Sequence, residues 1–157
     1  MKHLKFVLNG REEETEVVEG LRLVDLLRNE YGLCGTKESC GQGECGVCTV
    51  LVDNKAVHSC LLLALQVENC EVTTIEGLGM DGKPDPVQEA FMECGAIQCG
   101  FCTPGMIMSV KGLLLANPSP SDDEIKEALE GNICRCTGYT KIIQAVRLAA
   151  ERGAGLC

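Results

Sequence analysis

CGQGECGVC, residues 40–48, sets Cys40, Cys45 and Cys48 on one short stretch and fills most of the gaps with Gly41, Gly43 and Gly46. Thiols crowded onto a loop with almost no side chains around them need a physical reason. Glycine accepts positive φ and lets backbone N–H groups face the sulfurs, as close wrapping of an anionic, thiolate-bound centre requires. Cys60 extends the pattern to Cys40-x4-Cys45-x2-Cys48-x11-Cys60. A C-x4-C-x2-C opening with a distant fourth cysteine is the plant-type 2Fe–2S spacing. Zinc also takes four thiolates but usually shows paired C-x2-C knuckles. The spacing therefore predicts a 2Fe–2S cluster on Cys40, Cys45, Cys48 and Cys60.

Working outward, the flanks read as strands around one helix. KFVLNGREEETEV (5–17) places Asn9-Gly10 between two extended runs, a strong hairpin signal. LRLVDLLRNEYG (21–32) spaces Leu23, Val24, Leu26 and Leu27 as a helix face, with Gly32 as the residue that ends it. TVLVDNKAVHSC (49–60) predicts a second hairpin turning at Asp53-Asn54, and CEVTTIEGL (70–78) a last strand. A hairpin, a helix and further strands make an α+β layer fold.

From about residue 77 the composition changes. GLGMDGKPDP (77–86) is rich in Gly and Pro and has no apolar period, which marks a linker. Helical signals follow. Asp85-Pro86 opens a segment that stops at Gly95; Thr103 reads as an N-cap with Pro104 at the first helical position; Ser121 and Glu124 form a capping box, with Gly131 after that helix; and GYTKIIQAVRLAAERG runs to Gly153. The domains are thus 1–76, a linker over 77–84, and a helical unit over 85–157, a small four-helix bundle. A helix, a short cysteine loop and a helix occur twice there, which predicts a pseudo-two-fold bundle whose two cysteine loops meet.

That second unit carries Cys99-x2-Cys102-x31-Cys134-x-Cys136. C-x2-C plus C-x-C separated by two helices fits zinc or a second cluster. Pro104 and Tyr139 sit near helix starts, and two positive helix ends aimed at the site favour the more anionic of the two.

Composition narrows the function. The chain has 157 residues, 45% hydrophobic but only 3% aromatic and without Trp, so its cores must be aliphatic. Halves of about 75 residues are marginal without a staple such as a metal centre. The formal charge of −9 and the lack of a basic patch exclude nucleic acid as a partner. LLLAL is far too short to span a membrane. MKHLKFVLNGREEE carries neither an apolar signal core nor a twin-arginine signal, so the expectation is a cytoplasmic chain with reduced thiols.

ESCGQGECGVCTVLVD (38–53) and HSCL (58–61), followed by AIQCGFCTPGMIM (96–108) and GNICRCTGY (131–139), resemble the small iron–sulfur subunit of molybdenum hydroxylases, the family of xanthine dehydrogenase, aldehyde oxidoreductase and aerobic-type carbon monoxide dehydrogenase. The resemblance covers almost the whole chain. It implies a β-grasp, plant-type ferredoxin-like domain, then a two-fold-symmetric four-helix domain, with one 2Fe–2S cluster in each. The ligands it implies are Cys40, Cys45, Cys48 and Cys60, then Cys99, Cys102, Cys134 and Cys136. It also implies a hetero-oligomer, with a large subunit holding a molybdopterin cofactor and a further subunit holding FAD. Electrons would pass from molybdenum to the helical-domain cluster, then to the β-grasp cluster and on to flavin. Gln98 would contact the pterin, with Cys136 beside the pterin amino group. Ser39 departs from the glycine that is common before the first ligand. A free-standing two-cluster ferredoxin and a zinc-stabilised scaffold without redox activity are the alternatives.

No nucleophile–base pair is visible, so substrate chemistry belongs to a partner. His3 and His58 read as structural, Met106 and Met108 as core, and Asp122, Asp123, Glu124 and Glu127 as a solvated first helical turn. Cys70 and Cys94 read as buried free thiols, Cys34 as a misligation hazard and Cys157 as a frayed, oxidisable thiol. The small Gly-rich loop of the first set predicts that its site sits in the most exposed part of the fold, and so is more exposed than the second.

Overall fold

The computed structural model describes residues 1–79 and 82–153. Met80 and Asp81 of the predicted linker, and Cys157, lie outside the described residues. Strand β1 (Lys2–Leu8) pairs antiparallel with β2 (Arg11–Val17) across Asn9 and Gly10, whose φ values of 50° and 77° are those a tight primed turn demands. Along β1, Leu4, Phe6 and Leu8 point inward at the strand period. β2 presents carboxylates to solvent, and Lys5 reaches Glu14 at 3.2 Å.

The predicted helix forms as a short α1 (Leu23–Asp25) that widens into a π-helical turn over Leu26–Glu30, with Gly32 at φ 67° beyond it. Leu23, Leu26 and Leu27 are fully buried against the sheet, and Tyr31 meets Phe6 edge-on with centroids 6.0 Å apart. Strands β3 (Thr49–Val52) and β4 (Lys55–His58) form the second hairpin, turning on Asp53 and Asn54, both at positive φ. Strand β5 (Glu71–Thr73) completes a five-stranded sheet of order β2-β1-β5-β3-β4, with β1 and β5 parallel.

Besides two short 3-10 turns, Ala64–Val67 and Ile75–Gly77, the remaining elements are α2 (Pro86–Glu93), α3 (Thr103–Ala116), α4 (Asp122–Leu129) and α5 (Thr140–Glu151). They enclose a core of Val87, Phe91, Met106, Val110, Leu114 and Ile142, among others. Asp85 caps α2 by accepting from the Val87 N–H, and Ser121 with Glu124 forms the predicted capping box on α4. At α3 the N-cap is Cys102, not Thr103: Thr103 already has helical geometry, and no side chain caps that end. This helix also joins the two cores. A Cβ on Gly112 would lie 3.1 Å from the Ala56 Cβ and 3.2 Å from the Leu51 Cδ2, so the helix backbone rides directly on β3 and β4. Lys111, the preceding residue, is 5% exposed and holds Asp85 at 2.8 Å, a buried ion pair at the mouth of α2. Among the described residues no helix is long and apolar enough to cross a membrane.

Candidate iron–sulfur centres

Each described cysteine is a free thiol. The eight cysteines singled out by spacing come together as four pairs. Cys45 sits beside Cys40, and Cys60 beside Cys48, each close enough to shift its neighbour's ionisation. In the second set Cys136 Sγ lies 3.6 Å from Cys99 Sγ, and Cys102 and Cys134 shift each other in the same way. The second set thus draws on both helix–loop–helix units, so the two cysteine loops do meet. A single tetrahedral ion needs all its thiolates about 4 Å apart around one point. Pairs are what a dinuclear core takes, two thiolates to each iron.

Cys48 ends the loop that enters β3, and Cys60 follows β4; the two pack with Val24 and are 2% and 5% exposed. Cys40 and Cys45 are half-buried. Three loop glycines, Gly41, Gly43 and Gly46, have φ of 63°, 76° and 70°, and the Gln42 N–H reaches Cys40 Sγ at 3.4 Å. The backbone N–H groups of Gln42, Cys45 and Glu44 hold the Cys40 thiol down to about 7. Burial pushes Cys48 up to about 11. Arg22 braces the loop from below: it binds Asp25 through two nitrogens, at 2.7 and 2.9 Å, and Glu38 at 2.6 Å.

In the second set Cys99 and Cys136 are exposed, while Cys102 and Cys134 are half-buried. The prediction that the first set is the more exposed is therefore corrected. Cys48 and Cys60 are tied to strand ends on the sheet, whereas Cys99 and Cys136 stand on loops that project from helix ends. Burial pushes Cys102 up to about 12, with Cys134 as acceptor of its proton. Burial opposes ionisation of Cys134 too, but the hydroxyl and N–H of Thr137, at 3.1 and 3.5 Å, bring it down to about 7. A cleft of about 270 Å³ is lined by Cys99, Cys102, Cys134 and Cys136, with Cys45 of the first set at its edge and Phe101 and Ile133 at its rim. A larger cleft, about 530 Å³, lies between Ile75, Leu78, Gly79 and Pro84 on one side and α2 and α3 on the other; its walls are mainly apolar and, among the described residues, contain no thiol.

The two sets touch. The Ile133 N–H donates to the Cys45 carbonyl at 2.9 Å, one residue before Cys134. His58 Nδ1 lies 2.9 Å from the Gly43 carbonyl and so braces the first loop, in keeping with its structural reading, though its isolated place in the sequence did not name the partner. Gln98 is exposed beside Cys99. Met106 and Met108 are core residues, as predicted. Cys70 and Cys94 are half-buried, not buried, and Cys34 is exposed on the stretch leading to the loop.

Two family models match the chain: a 2Fe-2S iron-sulfur cluster binding domain over residues 6–75, and a 2Fe-2S binding domain over residues 74–147. The chain is 50% identical to the nicotinate dehydrogenase small FeS subunit of Eubacterium barkeri, over 92% of each chain. It is 46% identical to the xanthine dehydrogenase iron-sulfur-binding subunit of Escherichia coli, over 91% of each chain. Its fold matches the aldehyde oxidoreductase of Desulfovibrio gigas with a TM-score of 0.94 and 39% identity, covering 100% of this chain but 18% of that longer one.

Proposed function

This chain belongs to the family of small iron–sulfur subunits of molybdenum hydroxylases, and on that premise we propose that it is the electron-transfer subunit of such a complex and performs no chemistry on substrate itself. Cys40, Cys45, Cys48 and Cys60 would hold one 2Fe–2S cluster, and Cys99, Cys102, Cys134 and Cys136 the other. When bound, each cluster supplies a one-electron carrier between a molybdopterin centre and flavin in partner subunits. The observation that carries this reading is the gathering of the eight cysteines at two sites, the second lining one cleft, with the two sites joined by the Ile133–Cys45 hydrogen bond.

The chain's own residues have three tasks. Backbone N–H groups around Cys40 and the hydroxyl of Thr137 on Cys134 donate to sulfur, which stabilises added negative charge and raises a potential. Sheet and helix ends fix the sulfurs in place. Cys99 and Cys136 reach the surface next to exposed Gln98, Phe101 and Ile133. That face suits a large molybdopterin-binding partner, with Gln98 and Cys136 at the pterin edge; a Gln amide offers both donors and an acceptor for such a ligand. The same segment within the longer aldehyde oxidoreductase chain supports a partner of this kind. The free thiols fit a reducing, cytoplasmic setting.

Iron and acid-labile sulfide should be found in equal amounts in the purified chain, with two distinct EPR signals on reduction. Zinc in place of iron would overturn the reading. Gln98→Ala should keep both signals but slow reduction of the helical-domain cluster by substrate in the complex. Reduction at the wild-type rate would remove Gln98 from the route.

A further inference from the structure

We infer that Asn132 is the positioning residue that sets the separation of the two cysteine sites; this rests on the reading of those sites as paired one-electron carriers. Asn132 belongs to the second cysteine loop, two residues before Cys134, yet its side chain is spent on the first. Its Nδ2 donates to the Gly46 carbonyl at 2.9 Å and approaches Thr49 Oγ1 at 3.4 Å. Gly46 lies between Cys45 and Cys48. On the other side Ser109 of α3 donates its hydroxyl to Asn132 Oδ1 at 2.6 Å. The amide cannot turn over, because its oxygen would then face the Gly46 carbonyl oxygen, which can only accept. The backbone is held as well: Tyr139 Oη donates to the Asn132 carbonyl at 2.9 Å and accepts from the Cys134 N–H at 2.9 Å.

The polar bolt works because the chains around it have no side chains to keep them apart. A Cβ on Gly46 would overlap the Gly131 carbonyl, and one on Gly105 would overlap the Gly46 carbonyl. With Asn132 itself 3% exposed, both its donor and its acceptor are satisfied away from water, the condition under which a polar network rigidifies. Three backbones therefore meet at one point, and the Asn132 amide, next to the Ile133–Cys45 backbone hydrogen bond, fixes their register. Packing alone would hold them close but let them slide. Electron tunnelling falls exponentially with separation, and magnetic coupling between two paramagnetic centres falls with its cube, so both depend on this register.

The test uses the full chain carrying iron and sulfide, fully reduced, read by EPR. The wild type should show a spin–spin splitting between its two signals. Asn132→Leu, of similar volume and without hydrogen bonds, should keep the iron content and the separate signals seen when each cluster is reduced alone, but lose the resolved splitting. Ser109→Ala, which removes one anchor, should reduce the splitting by less. A wild-type splitting in a fully loaded Asn132→Leu protein would overturn the proposal. Should that variant fail to retain iron, an unchanged splitting in Ser109→Ala overturns it instead. A wild-type chain with no paramagnetic centres would refute the carrier reading itself, a separate result.

Discussion

At the first cysteine set two sulfurs are sealed between strand ends and Val24; at the second, two stand exposed on loops at helix ends. The same set of four thiols is thus presented by two scaffolds with opposite relations to solvent. The sheet site satisfies its sulfurs with loop N–H groups freed by glycine, and the helical site adds the hydroxyl of Thr137. Each half has a core of its own, the sheet half around Leu4, Phe6 and Leu26 and the helical half around Phe91, Met106 and Ile142, with a buried ion pair at the mouth of α2. The contrast teaches that the sheet scaffold seals two of its four thiols within this chain, whereas the helical scaffold leaves two of its four open to solvent.

The sharpest way to break that contrast is to remove one ligand from each side. Cys134→Ala should lose iron and also helix content by far-UV circular dichroism, because a small helical core leans on its metal. Cys45→Ser should lose one EPR signal and leave the other. Equal loss of structure in both variants would show that neither half folds ahead of its centre. Next in size is Asp85→Asn, which keeps a capping side chain on α2 but strips the charge that faces Lys111; breaking such a buried pair should cost about 3 kcal/mol in urea unfolding. Gly46→Ala should cost about 2 kcal/mol, since its methyl group must push the two loops apart at a positive φ. The smallest effect on the isolated chain should come from Phe101→Ala. That residue is 47% exposed, so thermal unfolding should shift by less than about 0.5 kcal/mol. Its affinity for the large partner, measured by calorimetric titration, should fall; unchanged affinity would place the docking face elsewhere.

What the sequence revealed was local. Asn9-Gly10 and Asp53-Asn54 announced both hairpins because turn chemistry is written in neighbouring residues. The Ser121–Glu124 box fixed the start of α4 for the same reason. The start of α3 slipped by one residue because Pro104 suits either of the first two helical positions and no side chain caps that end. The π-helical turn after Asp25 was hidden, since it buries Leu26 and Leu27 much as an α-helix would. At the sites, spacing exposed the cysteines, and motif resemblance grouped them. Pairing β1 with β5 in parallel, or Asn132 with a loop 86 residues away, leaves no local trace. Exposure could not be judged from glycine content either, because it depends on which elements lie behind the loop.

The outer strand β2 has a consequence for how this chain survives before it meets its partners. It is an edge of the sheet, with backbone groups free to recruit another strand, and an open edge is the usual seed of aggregation. Glu12, Glu14 and Glu16 crowd that rim, and only part of their charge is answered, by Lys5 across the hairpin. A second molecule sliding alongside would bring carboxylates against carboxylates. This open border is thus guarded by repulsion between copies.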